Sequence, residues 1–425
     1  MTARDDYYRN CITILEEELI PAMGCTEPVA IAYAAALARD TLGEMPDKVL
    51  VTASGNIIKN VKSVIVPNTG GLKGIPAAAA AGIAVGEADK KLQAIAAVPE
   101  EKVHLIADYL KKTEIGTELA DTDLVFDLGV KVWAGASEAS VRIVNNHTNV
   151  VHIEKNGCVL KDDPVTDNDE AGMTDREFLS LQIVYDFAKT VDIPDVKEIL
   201  DRQISYNMAI AEEGMREDYG ANIGKIVLQG RGDTVRNRCI SMAAAGSDAR
   251  MNGCSLPVII NSGSGNQGIT VSVPLIVYAK EKKLDKELLY RALVLSNLTS
   301  VYQKTGIGRL SAYCGAVNAG AAAACGIAFL EGGDYRIIAH TLVNALAVSS
   351  GMICDGAKAS CAGKIVLALD AGLLGYDMIK HGQQFRGGDG IIKKGVDNTV
   401  DNVGRLGKVG MRQTDIEILH MMIGE

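Results

Sequence analysis

Leu124–Leu160, LVFDLGVKVWAGASEASVRIVNNHTNVVHIEKNGCVL, is the stretch on which the fold class turns. Val130, Val132, Val141, Ile143, Val150, His152 and Val159 alternate with polar neighbours, the period of strands with one covered face. Asn145-Asn146 and Asn156-Gly157 mark turns between them. Upstream, Val49, Val51, Ile57, Val61, Val64 and Val66 predict a hairpin within Pro46–Val66, turning near Ser54-Gly55-Asn56. A glycine-rich loop follows at Asn68–Gly74. Helices are predicted over Pro76–Gly86, where proline suits the first turn, and over Glu100–Lys112.

Outside this region the period becomes helical. Tyr7–Ile20 and Val29–Leu42 read as two helices separated by Pro21-Ala22-Met23-Gly24-Cys25-Thr26-Glu27-Pro28, a turn that presents Cys25. Asp162–Asp175 is acidic and contains proline, as a linker does, and from Asp175 onward the pattern is almost wholly helical with glycine-rich breaks. The expected fold class is α+β, a mainly helical catalytic body with a smaller inserted α+β subdomain. Residues 1–45 are expected to be helical and to pack with the C-terminal body, 46–165 to form the α+β subdomain, and 166–425 the helical catalytic domain.

Aromatic residues make up only 4% of the chain, whereas there are 44 glycines, so the core must be filled by close backbone approach. Lys and Arg total 43 against 53 Asp and Glu, a net charge of −10 that argues against nucleic acid. The partner is expected to be small. The N-terminus lacks the apolar core of a signal peptide, and the alanine-rich stretches are too short or too polar to span a bilayer. A cytoplasmic, membrane-free protein is expected; glycine-rich helices could also pack between subunits, leaving a homo-oligomer open. Nine cysteines fit a reducing compartment, where thiols ligate metal, catalyse or pack, and the odd count fits poorly with a full disulfide framework.

The strongest local signal is Cys354-Asp355-Gly356-Ala357-Lys358-Ala359-Ser360-Cys361-Ala362. On one straight helix, Cys354 and Cys361 would lie about 10 Å apart along the axis, too far for one cluster. The Asp-Gly bend lets Cys354 precede a helix while Cys361 sits on its first turns, where amide groups favour thiolates. The plainer reading has both cysteines filling gaps in an Ala/Gly-packed core. Zinc is disfavoured by the missing two-residue cysteine knuckle and the scarcity of nearby histidine. Cys314 is a third candidate, because Gly315 and Gly320 leave room for a cofactor or another backbone. Cys325 would lie about 16 Å along the same helix and reads as core, and Cys11, Cys158, Cys239 and Cys254 read as packing residues. Asn261-Ser262-Gly263-Ser264-Gly265-Asn266-Gln267-Gly268 could aim N–H groups and hydroxyls at a carboxylate, or be an ordinary turn. The 68–74 loop with Lys73, preceded by Lys59-Asn60, is a weaker anion candidate.

Three of these segments together, residues 21–28, 263–268 and 354–358, resemble the L-cysteine desulfidase family, related to the alpha chain of iron–sulfur L-serine dehydratases. The resemblance runs in the same order from the first helix to the last hundred residues. It implies a [4Fe-4S] cluster held by three cysteines with one iron open, and elimination without pyridoxal phosphate, giving pyruvate, ammonia and, from cysteine, sulfide. Motif by motif, Cys314, Cys354 and Cys361 resemble the dehydratases' ligands, although the last two are more widely spaced in those relatives. Cys25 is the alternative third ligand, a removable fourth, or an acid/base. As a thiolate it is the first candidate to take the α-proton. Lys358 would pair with the substrate carboxylate, or Ser264, Asn266 and Gln267 would hold it through hydrogen bonds. Two competing readings are pyridoxal-phosphate-dependent elimination, for which no lysine is singled out, and a non-catalytic amino-acid or metal sensor on the same scaffold.

Overall fold

The alternating stretch does form strands, and they belong to a six-stranded sheet. The structure is a computed structural model describing residues 3–24, 26–165, 173–308 and 311–424. Its first part comprises α1 (Ala3–Glu18), β1 (Pro21–Met23), α2 (Thr26–Leu42), β2 (Lys48–Ala53), α3 (Gly55–Val61), α4 (Gly74–Val85), α5 (Val103–Lys112), β3 (Glu114–Leu119), β4 (Asp127–Ala134), β5 (Ser137–Val144), β6 (Val150–Lys155) and β7 (Cys158–Asp162). The sheet order is β3-β2-β4-β5-β6-β7, with β2 and β3 parallel and the other neighbours antiparallel. Val51, Val130 and Val141 pair in register across three strands, and their side chains are buried on one face.

Helix α2 covers that buried face, and α4 packs against α2. A Cβ at Gly82 would sit 2.1 Å from the carbonyl oxygen of Ala32, so these alanine-rich helices touch backbone to backbone. This is the close approach implied by the shortage of aromatics.

The hairpin expected around Ser54-Gly55-Asn56 does not form. After β2 the chain turns directly into α3, with Ser54 in an extended conformation as its N-cap. Ile57, Ile58 and Val61 are all buried, a helical rather than an alternating set. Strand β2 takes its partners from β3 and β4, far along the chain, so it needs no local return strand.

The remainder is helical: α6 (Leu181–Thr190), α7 (Ile193–Arg216), α8 (Ile223–Arg231), α9 (Val235–Met251), the short β8 (Pro257–Ile259), α10 (Gly265–Lys282), α11 (Lys286–Ile307), α12 (Gly315–Leu330), α13 (Tyr335–Ser349), α14 (Cys361–Lys380), α15 (Val396–Arg405) and α16 (Arg412–Ile423). The molecule is therefore an α+β fold dominated by helices. It has two main hydrophobic cores, one between the body helices and one between the sheet and α2 and α4. Within residues 1–45 the chain passes from one to the other. Cys11, Ile14 and Leu15 of α1 lie in the body's core, and Val29, Ile31 and Ala35 of α2 in the sheet's core. Strand β1, between them, pairs antiparallel with β8 of the body. Much of the acidic linker falls at 166–172, outside the described residues. Among the described residues no helix is long and apolar enough to cross a membrane.

Candidate active site at the junction of the two cores

Cys314 and Cys354 are brought together by a short antiparallel pairing. Tyr313 and Ile353 form an isolated β-bridge, Cys314 N–H donates to Met352 O at 3.0 Å, and Cys354 N–H donates to Ala312 O at 2.6 Å. The Tyr313 and Ser350 hydroxyls, 3.0 Å apart, tie the same two segments together. Cys314 is the N-cap of α12 and Cys361 is the first residue of α14. Cys354 thus precedes the helix that Cys361 opens. The Cys361 Sγ lies 3.7 Å from Gly356 O, in the turn between them.

The three thiols are electrically unequal. Cys314 hydrogen-bonds to Cys354, and that contact together with burial pushes the Cys314 thiol well up. The same hydrogen bond holds Cys354 well below the ordinary thiol range against its burial, helped by Lys59, the Gly356 amide and Lys364. Burial raises Cys361, and the neighbouring Cys354 adds to the effect. One thiolate is thus stabilised among two thiols, a soft sulfur donor set on a cationic wall.

That wall comes from both cores. Lys59 on α3 is 2% exposed and ion-pairs with Asp415 of α16. Gly356 has φ +90° and lies so close to α3 that a Cβ would meet Lys59 O at 2.0 Å. Asp355 pairs with Lys358 at 2.5 Å and with Lys364, whose Nζ also donates to Ile353 O at 2.9 Å. Burial raises the Asp355 carboxyl, but the two lysines hold it down at about 2. Lys358 also donates to the carbonyls of Asp355 and Gly356, so its charge is committed within its own loop.

The glycine-rich loop arrives from the other side. Asn261 and Ser264 exchange backbone hydrogen bonds at 3.1 and 3.0 Å around Ser262 and Gly263, both at positive φ. The Ser264 hydroxyl caps α10 by accepting from the Gln267 N–H, so its oxygen serves the helix. Gln267 reaches the cysteine segment, since a Cβ on Gly315 would lie 2.6 Å from its amide carbon. The side-chain oxygens of Asn266 and Gln267 are buried without a partner among the described residues. Lys73 lies exposed at the start of α4, and its backbone pairs with Ile65.

Cys25 lies outside the described residues. Its neighbours are well anchored: Gly24 packs against Pro67 at φ +56°, and the Glu27 carboxylate accepts from Asn60 Nδ2 at 2.9 Å. Asn60 adjoins Lys59 on α3, so the N-terminal motif and the cysteine turn share one short helix. Among the described residues no group of three His, Cys, Asp or Glu side chains is arranged around a single metal ion. Cys325 is fully buried within α12, and Cys11, Cys239 and Cys254 are buried, whereas Cys158 is exposed on β7 rather than packed. Two open clefts lie elsewhere, one lined by Asp127, Lys131, Arg142 and His152 of the sheet and one beside Glu213, Tyr219 and Cys254.

The sequence does not single out Lys364 as a site residue, and it places Lys59 only beside the 68–74 anion candidate, not with the cysteines. Lys364 carried a readable signal, three residues beyond Cys361 on one helix face. Nothing in the sequence links Lys59 to the cysteines, because it reaches the site from another core.

This constellation accompanies a match to the serine dehydratase alpha chain family over residues 90–420, and the chain belongs to that family, which is associated with lyase activity. Its relatives include UPF0597 proteins of Desulfitobacterium hafniense, 56% identical over all 425 residues and 99% of that protein, and of Treponema denticola, 47% identical over 97% of each chain. A UPF0597 protein of Lachnoclostridium phytofermentans is 48% identical over 98% of this chain and all of its own.

Proposed function

We propose that this chain is an iron–sulfur-dependent lyase that eliminates sulfide from L-cysteine, giving pyruvate and ammonia. The observation that carries the reading is the convergence of Cys314, from the start of α12, with Cys354 and Cys361, from the turn opening α14, beside Lys59 and Lys364. Three soft sulfur donors suit iron and sulfide, and buried cations offset the negative charge of thiolates. They are the residues that would hold a [4Fe-4S] cluster. When bound, such a cluster supplies a Lewis-acidic iron at which a thiol or hydroxyl becomes a better leaving group.

The chain's own groups divide the remaining work. The side-chain oxygens of Asn266 and Gln267, buried and without partners among the described residues, are suited to orient the amino acid beside Cys314. Lys358 and Lys364 anchor Asp355 and keep the cysteine turn in shape. Cys25 is the candidate to accept the α-proton, and Lys73 remains a candidate for attracting the substrate's carboxylate. The enzyme would work on a free amino acid in the reducing cytoplasm.

L-Serine is the second reading, and the family's description as a serine dehydratase favours it. Anaerobic reconstitution with iron and sulfide, followed by parallel assays of pyruvate from L-cysteine and L-serine, decides between them. Visible absorbance and turnover should rise together, and both should vanish in Cys354→Ala. An active, colourless Cys354→Ala variant overturns the ligand role, and a coloured wild type that turns over neither amino acid overturns the lyase.

A further inference from the structure

Asn318 lies one turn beyond Cys314, so the two side chains leave the same side of the start of α12. It is fully buried, and neither Oδ1 nor Nδ2 has a partner among the described residues. A buried amide with both ends unpaired is a standing cost to the fold, which a site meant to be filled explains. Its surroundings have the same character. Gln303 Nε2 donates to Asn318 O at 3.2 Å, and the Gln303 Oε1 and Thr299 Oγ1 atoms lack partners among the described residues. Gln267, whose Oε1 also lacks a partner among the described residues, abuts Gly315 one turn before Asn318.

The rest of α12 is alanine, glycine and other small or apolar residues, so packing alone gives no reason for an amide here. The first turns of α10 and α12 also approach each other here, where Gln267 abuts Gly315, and the dipoles at two helix starts favour an anion. An amino acid carries an anion and a cation on one carbon. An amide is suited to both, because Nδ2 donates and Oδ1 accepts.

We propose that Asn318, together with Gln267, forms the subsite for the α-carboxylate and α-ammonium of a free amino acid. Asn318 Nδ2 donates to the carboxylate, while Asn318 Oδ1 and Gln267 Oε1 accept from the ammonium, which sets the α-carbon beside Cys314. The subsite deepens the lyase reading and rests on it for the choice of ligand class.

The test is anaerobic calorimetry on the full chain with L-alanine, which has the amino-acid head group but no leaving group. Wild type should bind L-alanine about tenfold or more tighter than propionate or ethylamine, each of which lacks one charge. Asn318→Leu should cut L-alanine affinity about tenfold or more and raise the melting temperature, because it removes an unpaired buried amide. Asn318→Asp, which keeps the size and places a like charge beside the carboxylate, should lose binding as well. Affinity within about twofold of wild type in either folded variant, or wild type preferring propionate, overturns the subsite. If wild type binds L-alanine and both variants lose it, yet no pyruvate forms from cysteine or serine, the subsite stands and the lyase reading falls. If turnover proceeds and the variants keep their affinity, the subsite alone falls.

Discussion

Cys314 and Cys354 stand opposite each other because the residues beside them, Tyr313 and Ile353, pair as an antiparallel bridge, with Cys314 N–H bonded to Met352 O and Cys354 N–H to Ala312 O. The two sulfurs are therefore positioned by main-chain hydrogen bonds rather than by side-chain packing. Cys361 is set by a different device, the first turn of α14. The site should tolerate changes in the surrounding core better than changes in these short segments.

Cys325 and Cys361 should respond differently to truncation. Cys325→Ala should cost about 1–2 kcal/mol through lost packing and leave iron content unchanged, because Cys325 is enclosed within α12 with its Sγ near Ile338 O. Cys361→Ala should lower the iron bound per chain. Iron analysis beside a denaturant titration of each variant checks both.

Gly356 is the point where the cysteine turn meets α3. A side chain there faces both the positive φ and the Lys59 carbonyl, so Gly356→Ala should destabilise by about 3 kcal/mol and impair iron uptake. Equilibrium unfolding and anaerobic reconstitution measure the two effects. Wild-type stability with full iron loading would show that the contact is dispensable.

Gly315 tests the link between the two site halves. Gly315→Ala should displace the Gln267 amide and raise KM for the amino acid by about fivefold or more, with a smaller effect on kcat. Equal loss in kcat and kcat/KM would instead place Gln267 in the transition state.

Asp248 supplies a pH prediction away from the cysteines. Its carboxyl, buried on α9, is pushed up to about 6 by desolvation, partly offset by the amides of Gly224 and Ile223. The native state therefore holds a proton between about pH 4 and 6 that the unfolded chain has released. Its contribution is present below about pH 4 and lost as pH rises through 6, about 3 kcal/mol in all. Asp248→Asn should flatten the dependence of unfolding free energy on pH across that window, measured in urea at several pH values.

The N-terminal helices, the strand stretch and the almost wholly helical second half were all legible, because their apolar periods of 2 and 3.6 depend only on local sequence. The segment 54–61, expected to lie within a hairpin, forms α3 instead. Val49 and Val51 alternate, but Ile57, Ile58 and Val61 switch to the helical period within a few residues, and nothing local reveals that β2 pairs with 114–134 instead. At the site, the residues around Asp355-Gly356 showed that Cys354 could precede a helix and Cys361 open it. That Lys59 faces the cysteines and that Gln267 fills the room beside Gly315 is not legible locally, because each relation depends on another segment.

The sequence by itself determined the helices and strands, the acidic charge and the chemical supply of thiols, amides and lysines, since these follow from composition and near-neighbour spacing. Only the tertiary structure decided which thiols meet, that Lys59 crosses from the other core to face Cys354, and that Gln267 abuts Gly315. Those relations span tens to hundreds of residues, and packing between elements, not local propensity, selects them.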